Sequence, residues 1–92
     1  MNEQFSNVWD AIEDDPIERE KLKLQSRLMD ALCDFIKAEG LTQQEAAKRL
    51  GVTQPRISDL TRGKIDLFAI DSLVAMLAAA GLRIEVRIGK AA

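Results

Sequence analysis

The sequence predicts an all-α fold of four to five helices followed by a single C-terminal β-strand. Three observations lead to this prediction. Apolar residues recur at helical spacing from residue 16 to about residue 38, and cap residues and glycines mark further helices up to residue 81. Residues 82–88 then alternate strictly between apolar and charged side chains, which is the pattern of a strand. The 92 residues have the length of one domain with a modest core.

The composition excludes several classes of function. The chain has no histidine, so the commonest general base and the usual nitrogen ligand of metals are both missing. We find no nucleophile–base pair and no phosphate-binding loop in the sequence, and we therefore expect no catalytic residues, no metal and no cofactor. The single cysteine, Cys33, excludes an internal disulfide and is expected to be a small buried apolar residue.

No part of the sequence predicts membrane insertion or export. The N-terminus is acidic and lacks the apolar core of a signal peptide, and no apolar run is long enough to span a bilayer. Together with the single cysteine, this leads us to expect a cytoplasmic protein with no membrane partner.

Charge is distributed unevenly along the chain. Residues 1–20 carry seven acidic side chains and one basic side chain, a net charge of −6. Residues 21–92 carry twelve basic and eight acidic side chains, a net charge of +4. This asymmetry indicates two surfaces with two kinds of partner.

Residues 1–14 form an acidic arm ahead of the predicted domain. Their apolar residues fall at positions i, i+3, i+4 and i+7, which places them on one face of a short helix. No cap and no sufficient length stabilises such a helix alone, so we expect the arm to be mobile in the unbound protein. It is either a frayed terminus or a segment that becomes ordered on a partner. The residues of that face are Phe5, Val8, Trp9 and Ile12.

The main domain is predicted to span residues 15–81 and to begin with a long helix. Asp15 followed by Pro16 is the pattern of a cap and a first helical residue, and Gly40 marks the stop after Ala38. The apolar positions of this helix cover more than half of its circumference. That face is wider than one core requires, which indicates a second buried contact.

Residues 42–61 have the proportions of a helix-turn-helix motif. Thr42 and Glu45 form a capping box at the start of one short helix, Gly51 supplies the turn, and Thr53 begins the next helix. Between residues 43 and 64 there are five basic and two acidic side chains, a net charge of +3. A DNA backbone attracts such a local excess of positive charge.

The C-terminal part of the chain predicts a homodimer. A helix over about residues 67–80, beginning at Asp66, is apolar on nearly all sides and therefore needs burial on nearly all sides. The strand that follows has no second strand in the chain to pair with. The simplest partner is the same strand of a two-fold related copy, with residues 82–92 as the dimerisation strand and tail. The expected interface residues are Leu82, Ile84, Val86, Ile88 and Met76.

The stretch LTQQEAAKRLGVTQPRISDLTRGK, residues 41–64, strongly resembles the XRE family of lambda-repressor-like helix-turn-helix proteins. Residues 17–88, with the lead-in NVWDAIEDDP and the stretch RGKIDLF, are also similar to HigA-like antitoxins of type II toxin–antitoxin modules. The resemblance implies a dimeric, sequence-specific DNA-binding antitoxin that represses its own operon. It further implies a small basic RNase partner, a RelE/HigB-like mRNA-cleaving toxin, which the acidic arm is expected to contact.

Two other functions fit the same sequence. A stand-alone XRE-family transcriptional repressor without a toxin shares the same core. A protein-only inhibitor whose helix-turn-helix has lost DNA binding is the second alternative. A neighbouring reading frame for a small basic protein would separate the antitoxin from the stand-alone repressor, and a gel shift at two salt concentrations would test for DNA binding.

The resemblance also implies roles for single residues in binding double-stranded operator DNA with an inverted repeat. Gln43 matches the family's phosphate-clamping glutamine, and Gln54 matches its base-reading glutamine at the start of the recognition helix. Pro55 departs from the family's usual polar residue, so a base contact there would be apolar, to a thymine methyl. The alternative is that both glutamines are ordinary solvent-exposed residues at the starts of their helices. The expected DNA-binding residues are Gln43, Thr53, Gln54, Pro55, Arg56, Ser58, Asp59, Arg62 and Lys64.

Charged residues of this set have different expected roles. By the resemblance, Arg56 and Asp59 lie at outward positions of the recognition helix that set sequence preference in the family. Arg62 and Lys64 follow the helix and are expected to bind phosphates. Asp59 would repel the DNA backbone, so it either accepts a hydrogen bond from a cytosine amino group or pairs with Arg56 or Arg62.

Overall fold

The computed structural model describes residues 15–90, and their fold is all-α. In chain order the elements are α1 (Pro16–Ala38), α2 (Gln43–Leu50), α3 (Gln54–Thr61), a 3₁₀ turn (Ile65–Leu67) and α4 (Ile70–Ala79). The prediction of an all-α fold with four to five helices is confirmed, with four helices in this part of the chain. None of these helices is long and apolar enough to cross a membrane. The acidic arm predicted at residues 1–14 lies outside the described residues.

Local capping sets the starts of the first two helices as the sequence predicts. At α1, Asp15 Oδ1 accepts hydrogen bonds from the backbone N–H groups of Ile17 at 3.0 Å and Glu18 at 3.4 Å. At α2, Glu45 N donates to Thr42 Oγ1 at 3.1 Å, while Thr42 N donates to Glu45 Oε1 at 2.9 Å. These bonds satisfy amide donors that have no partner inside the helix.

The third helix has the weakest local support. Thr53 occupies the cap position of α3, but its side chain makes no capping hydrogen bond. Pro55 in the first turn has no N–H group, and the last turn holds no basic side chain to interact with the helix dipole. The helix is eight residues long, so its stability comes from packing of Ile57 and Leu60, which are 0% and 1% exposed.

One apolar core joins the four helices. α1 packs mainly on α4, and α2 packs mainly on α3, with further contacts from α1 to α3 and to the 3₁₀ turn. Cys33 is half-buried between α1 and α3, where its Sγ donates to the carbonyl oxygen of Leu60 at 3.7 Å. Burial, aided by Asp30 and Asp34, raises the pKa of this thiol, so it stays protonated near neutral pH. Among the described residues, the largest fully buried side chains are Leu32, Ile57, Leu60, Phe68 and Leu73.

The last helix begins later than the sequence predicts. We expected a start at Asp66, whereas α4 begins at Ile70 and Asp66 lies in the 3₁₀ turn. Phe68 interrupts the helical path with an extended backbone (φ −125°, ψ 113°), and its side chain is 1% exposed. Gln25 of α1 fixes this conformation, since its Nε2 donates to the Phe68 carbonyl oxygen at 2.8 Å.

Burial of α4 within one chain is one-sided. Leu73, Met76 and Leu77 are buried, but Val74 is 41% exposed, and the alanines at positions 75, 78 and 79 are also exposed. Residues 15–90 therefore cover one face of this helix. The other face is apolar and is not covered by this part of the chain.

The predicted C-terminal strand does not form within residues 15–90. Leu82 N donates to the Leu77 carbonyl at 2.9 Å, which closes the end of α4. From residue 83 to residue 90, no backbone group hydrogen-bonds to another described backbone group. A strand needs a second backbone beside it, and no segment of the described chain supplies one.

The core predicts the effect of one truncation on stability. Leu32→Ala should lower the free energy of unfolding by about 2–5 kcal/mol, because the side chain is fully buried and leaves a cavity. Ile17→Ala in the same helix is the matched control, since Ile17 is 70% exposed, and should change stability by less than about 0.5 kcal/mol. Urea unfolding followed by circular dichroism measures both. Equal losses for the two variants would contradict the position of the core.

Candidate nucleic-acid interface

The turn between α2 and α3 fixes the angle between the two helices. Gly51 has φ 71° and ψ 32°, a left-handed conformation that strains residues with a side chain. Val52 N then donates to the Ala47 carbonyl at 3.0 Å. Ala47 is 8% exposed, and its small side chain lets the helices approach closely. Ile57 and Leu60 are buried and Val52 is half-buried, so these three side chains pack inward and hold the two helices together.

The first turn of α3 presents its polar groups to solvent. Thr53, Gln54 and Pro55 are exposed, and Ser58 is half-buried one turn further along the same face as Gln54. Within residues 15–90, the side chains of Thr53 and Gln54 make no hydrogen bond, and neither does Gln43 at the start of α2. Their donors and acceptors are therefore directed to solvent or to a ligand.

Basic side chains follow the end of α3. Arg62 is exposed and makes no ion pair with the described residues. Lys64 Nζ lies 3.9 Å from Asp59 Oδ1, so Asp59 pairs with Lys64 and not with either arginine considered from the sequence. This pair lowers the local negative charge that Asp59 would present to a phosphate.

Arg56 has a different position from the one expected. It is half-buried, and its Nη1 donates to the carbonyl oxygen of Leu67 at 2.9 Å. Its guanidinium carbon lies 4.1 Å from the centre of the Phe68 ring. The side chain therefore lies against the turn before α4, where it makes a cation–π contact.

The two basic residues of α2 also differ, because one contacts the protein itself and the other faces solvent. Arg49 lies 5.2 Å from the Phe35 ring centre and 3.8 Å from a carboxylate oxygen of Glu39, so it faces α1. Lys48 is exposed and makes no ion pair within the described part of the chain. Sequence reasoning did not identify Gln25 as part of this region, because its contact with Phe68 spans 43 residues and has no local signal.

The residues expected at a dimer interface fall into two groups. Leu82 and Ile84 are each 37% exposed, Val86 is 73% exposed and Ile88 is 88% exposed. Met76 is 2% exposed and belongs to the chain's own core. The four residues of the C-terminal segment line an open groove of about 860 Å³ between α1 and residues 82–88.

Two further expectations concern the toxin-binding residues and metal binding. The residues expected to contact a toxin, Phe5, Val8, Trp9 and Ile12, lie outside the described residues. Between residues 15 and 90, no three cysteine or carboxylate side chains lie close enough together to hold a metal ion.

Comparisons with known proteins agree with this geometry. A family model described as "Helix-turn-helix domain" matches residues 11–89. A solved structure named "Putative XRE Family Transcriptional Regulator" is 34% identical, with a TM-score of 0.73 over 80% of this chain and 83% of that chain. A comparison with curated proteins found no match. The chain belongs to the XRE-like family of helix-turn-helix, DNA-binding transcriptional regulators.

Proposed function

We propose that this protein is a sequence-specific autorepressor that reads an inverted-repeat operator as a homodimer and also acts as the antitoxin of a RelE/HigB-like toxin. The observation that carries the DNA-binding part is the start of α3. It presents Gln54 and Thr53 to solvent, without side-chain hydrogen bonds to any described residue, in a motif with net positive charge. A recognition helix contacts base edges with residues of this first turn.

The proposed contacts separate base reading from positioning on the backbone. The Gln54 amide can bond an adenine through N6 and N7, and the Pro55 ring can contact a thymine methyl. Arg62, Lys64 and Gln43 would bind phosphates and set the register of the helix in the major groove. Exposed Lys48 adds positive charge on α2 without an internal partner.

A matched pair of variants tests this division of roles. Gln54→Ala should weaken operator binding by about 1–3 kcal/mol and relax preference at one or two base pairs, because it removes a bidentate base contact. Arg62→Ala should weaken binding to all sequences and reduce the salt dependence, because it removes one phosphate contact. Fluorescence anisotropy at several salt concentrations measures both effects. Unchanged operator affinity in Gln54→Ala would mean that another segment reads the bases.

The homodimer part of the proposal rests on the C-terminal segment. Its backbone from residue 83 to residue 90 has no backbone partner among residues 15–90, although its apolar side chains alternate as in a strand. The exposed face of α4 and the groove beside α1 add further uncovered apolar surface. Pairing of residues 82–88 with the same segment of a second copy would satisfy the backbone groups and cover these side chains.

Charge substitutions in this segment test the dimer. Ile84→Lys with Val86→Lys should produce monomers, or an unfolded chain, because two charges would enter an apolar interface. Arg83→Lys with Arg87→Lys is the matched control, because it alters the opposite face and keeps its charge. Sedimentation equilibrium measures the mass, and circular dichroism the fold. A folded dimer that persists after deletion of residues 82–92 would place the interface elsewhere.

The antitoxin part of the proposal rests on the HigA-like resemblance and on charge. All 13 basic side chains lie at or after Arg19, whereas residues 1–14 carry four acidic and no basic side chains. An RNase must bind RNA and is therefore expected to be basic, so an acidic arm with an apolar face offers both charge and anchors. Trp9 is the chain's only tryptophan, the residue type most enriched among interface hot spots.

Deletion of residues 1–14 tests the arm. The truncated protein should bind its operator as the full chain does, because the arm carries no DNA-binding residue, but should lose toxin neutralisation in part or completely. Trp9→Ala should weaken neutralisation measurably, while Asn2→Ala is a control on the same segment. The assay is mRNA cleavage by the toxin encoded beside this gene, titrated with each variant. Neutralisation at the wild-type concentration by the truncated chain would contradict the arm as the toxin contact, and absence of a neighbouring toxin gene would favour a stand-alone repressor.

A further inference from the structure

We propose that Arg56 is a positioning residue that fixes the first turn of α3 to the turn before α4, and that it does not read a base. This inference rests on the proposed function, in which α3 is the recognition helix. It assigns Arg56 a role different from the sequence-based expectation, in which the residue sets operator preference. The assignment follows from what the guanidinium contacts and from how little else holds the start of α3.

The guanidinium of Arg56 makes two contacts with adjacent residues. Nη1 donates to the Leu67 carbonyl oxygen at 2.9 Å, and the guanidinium carbon lies 4.1 Å from the Phe68 ring centre. Phe68 is 1% exposed, so the guanidinium forms part of the cover over an aromatic core residue. A planar cation that stacks on a ring while donating at its edge is held in both position and orientation.

The turn that Arg56 contacts is itself fixed from a second helix. Gln25 of α1 donates to the Phe68 carbonyl oxygen at 2.8 Å. Two consecutive carbonyl groups are thus bound by side chains of two different helices, Leu67 by α3 and Phe68 by α1. The turn therefore connects the recognition helix to the longest helix of the domain through side-chain hydrogen bonds.

The first turn of α3 has no comparable support from its own sequence. The Thr53 side chain makes no capping bond and Pro55 lacks an N–H group. The turn is held by Ile57, which is buried directly after Arg56, and by the contacts of Arg56 itself. Arg56 is the residue of that turn whose side chain hydrogen-bonds to another element, at the Leu67 carbonyl. Gln54 lies in the same turn, so the orientation of its side chain toward a base depends on the contact that Arg56 makes. Recognition side chains need positioning to within about 0.5 Å, which a supporting contact of this kind supplies.

Base reading by Arg56 would require loss of both contacts. The Leu67 carbonyl would lose its donor, and a face of the Phe68 ring would be exposed to water. Direct readout then belongs to exposed residues of the helix, Gln54 and Pro55, with the half-buried Ser58 one turn along. An operator selected by this protein should therefore contain no base pair whose recognition depends on Arg56.

Selection from random DNA tests this inference. The full-length wild-type chain, Arg56→Lys, Arg56→Met and Gln54→Ala are each used to enrich binding sites from a random duplex library. Both Arg56 variants should enrich the wild-type sequence, with affinity for it lowered about tenfold by loss of the stacked, hydrogen-bonded guanidinium. The affinity for every single-base-pair variant of that sequence should fall by the same factor of about ten, because the loss does not depend on sequence. Gln54→Ala should instead lose preference at particular positions. Loss of discrimination at one base pair in the Arg56 variants would overturn the inference.

A second measurement separates positioning from a general loss of stability. Affinities are measured where circular dichroism shows each variant fully folded. An Arg56 variant with a lowered melting temperature but wild-type affinity when folded would overturn the positioning role. Phe68→Leu should weaken binding in the same sequence-independent way, and the double variant Arg56→Met with Phe68→Leu should lose less than the sum of the two. Additive losses would contradict coupling through the ring.

Nuclear magnetic resonance tests the contact itself without DNA. The Hε proton of Arg56 should be shifted upfield by the Phe68 ring current, with exposed Arg62 as the reference, and should stay shifted in the DNA complex. A shift that disappears on DNA binding would mean that Arg56 leaves the ring to contact DNA, which overturns the inference. If the wild-type chain enriches no sequence, the proposed function fails, while the upfield shift in the unbound protein still decides whether the contact exists.

Discussion

The insertion of Phe68 into the core is the constraint on which the rest of this structure depends. Its burial accompanies an extended backbone between the 3₁₀ turn and α4, so α4 begins only at Ile70. The carbonyl groups exposed by that break are bound by Gln25 and Arg56. Through these contacts a single aromatic side chain sets how α1, α3 and α4 lie relative to one another.

An acidic protein can bind DNA because its charge is separated along the chain. The sequence has a pI of about 5.1, yet residues 43–64 have a net charge of +3. Ion pairs inside the domain further decide which cations face outward. Arg49, itself exposed, lies against Glu39 and Phe35, whereas Arg62 and Lys48 make no ion pair with the described residues. The field near the helix-turn-helix therefore differs in sign from the average of the whole molecule.

Features governed by local chemistry were predictable from the sequence, and features governed by distant contacts were not. The capping box of Thr42 and Glu45 and the left-handed Gly51 involve residues close in sequence, so the bounds of α2 followed directly. The predicted start of α4 at Asp66 was wrong, because the extended conformation of Phe68 depends on Gln25, a residue 43 positions away. Arg56 was expected to point outward for a similar reason, since helical spacing does not show that an aromatic ring lies beside it. The alternating pattern of residues 82–88 predicts a strand correctly only if a second backbone is present, and no other segment of residues 15–90 supplies one.

The weak local support of α3 has a consequence for the order in which the domain opens. α1 begins with a bound aspartate cap and α2 with a reciprocal capping box, whereas α3 relies on side chains packed from elsewhere. A helix stabilised mainly by tertiary contacts loses its amide protection when those contacts fluctuate. Hydrogen exchange in α3 should accordingly report the integrity of the surrounding core more than any intrinsic helicity. The segment best placed to adjust its shape to a ligand is thus also the segment whose order depends most on its neighbours.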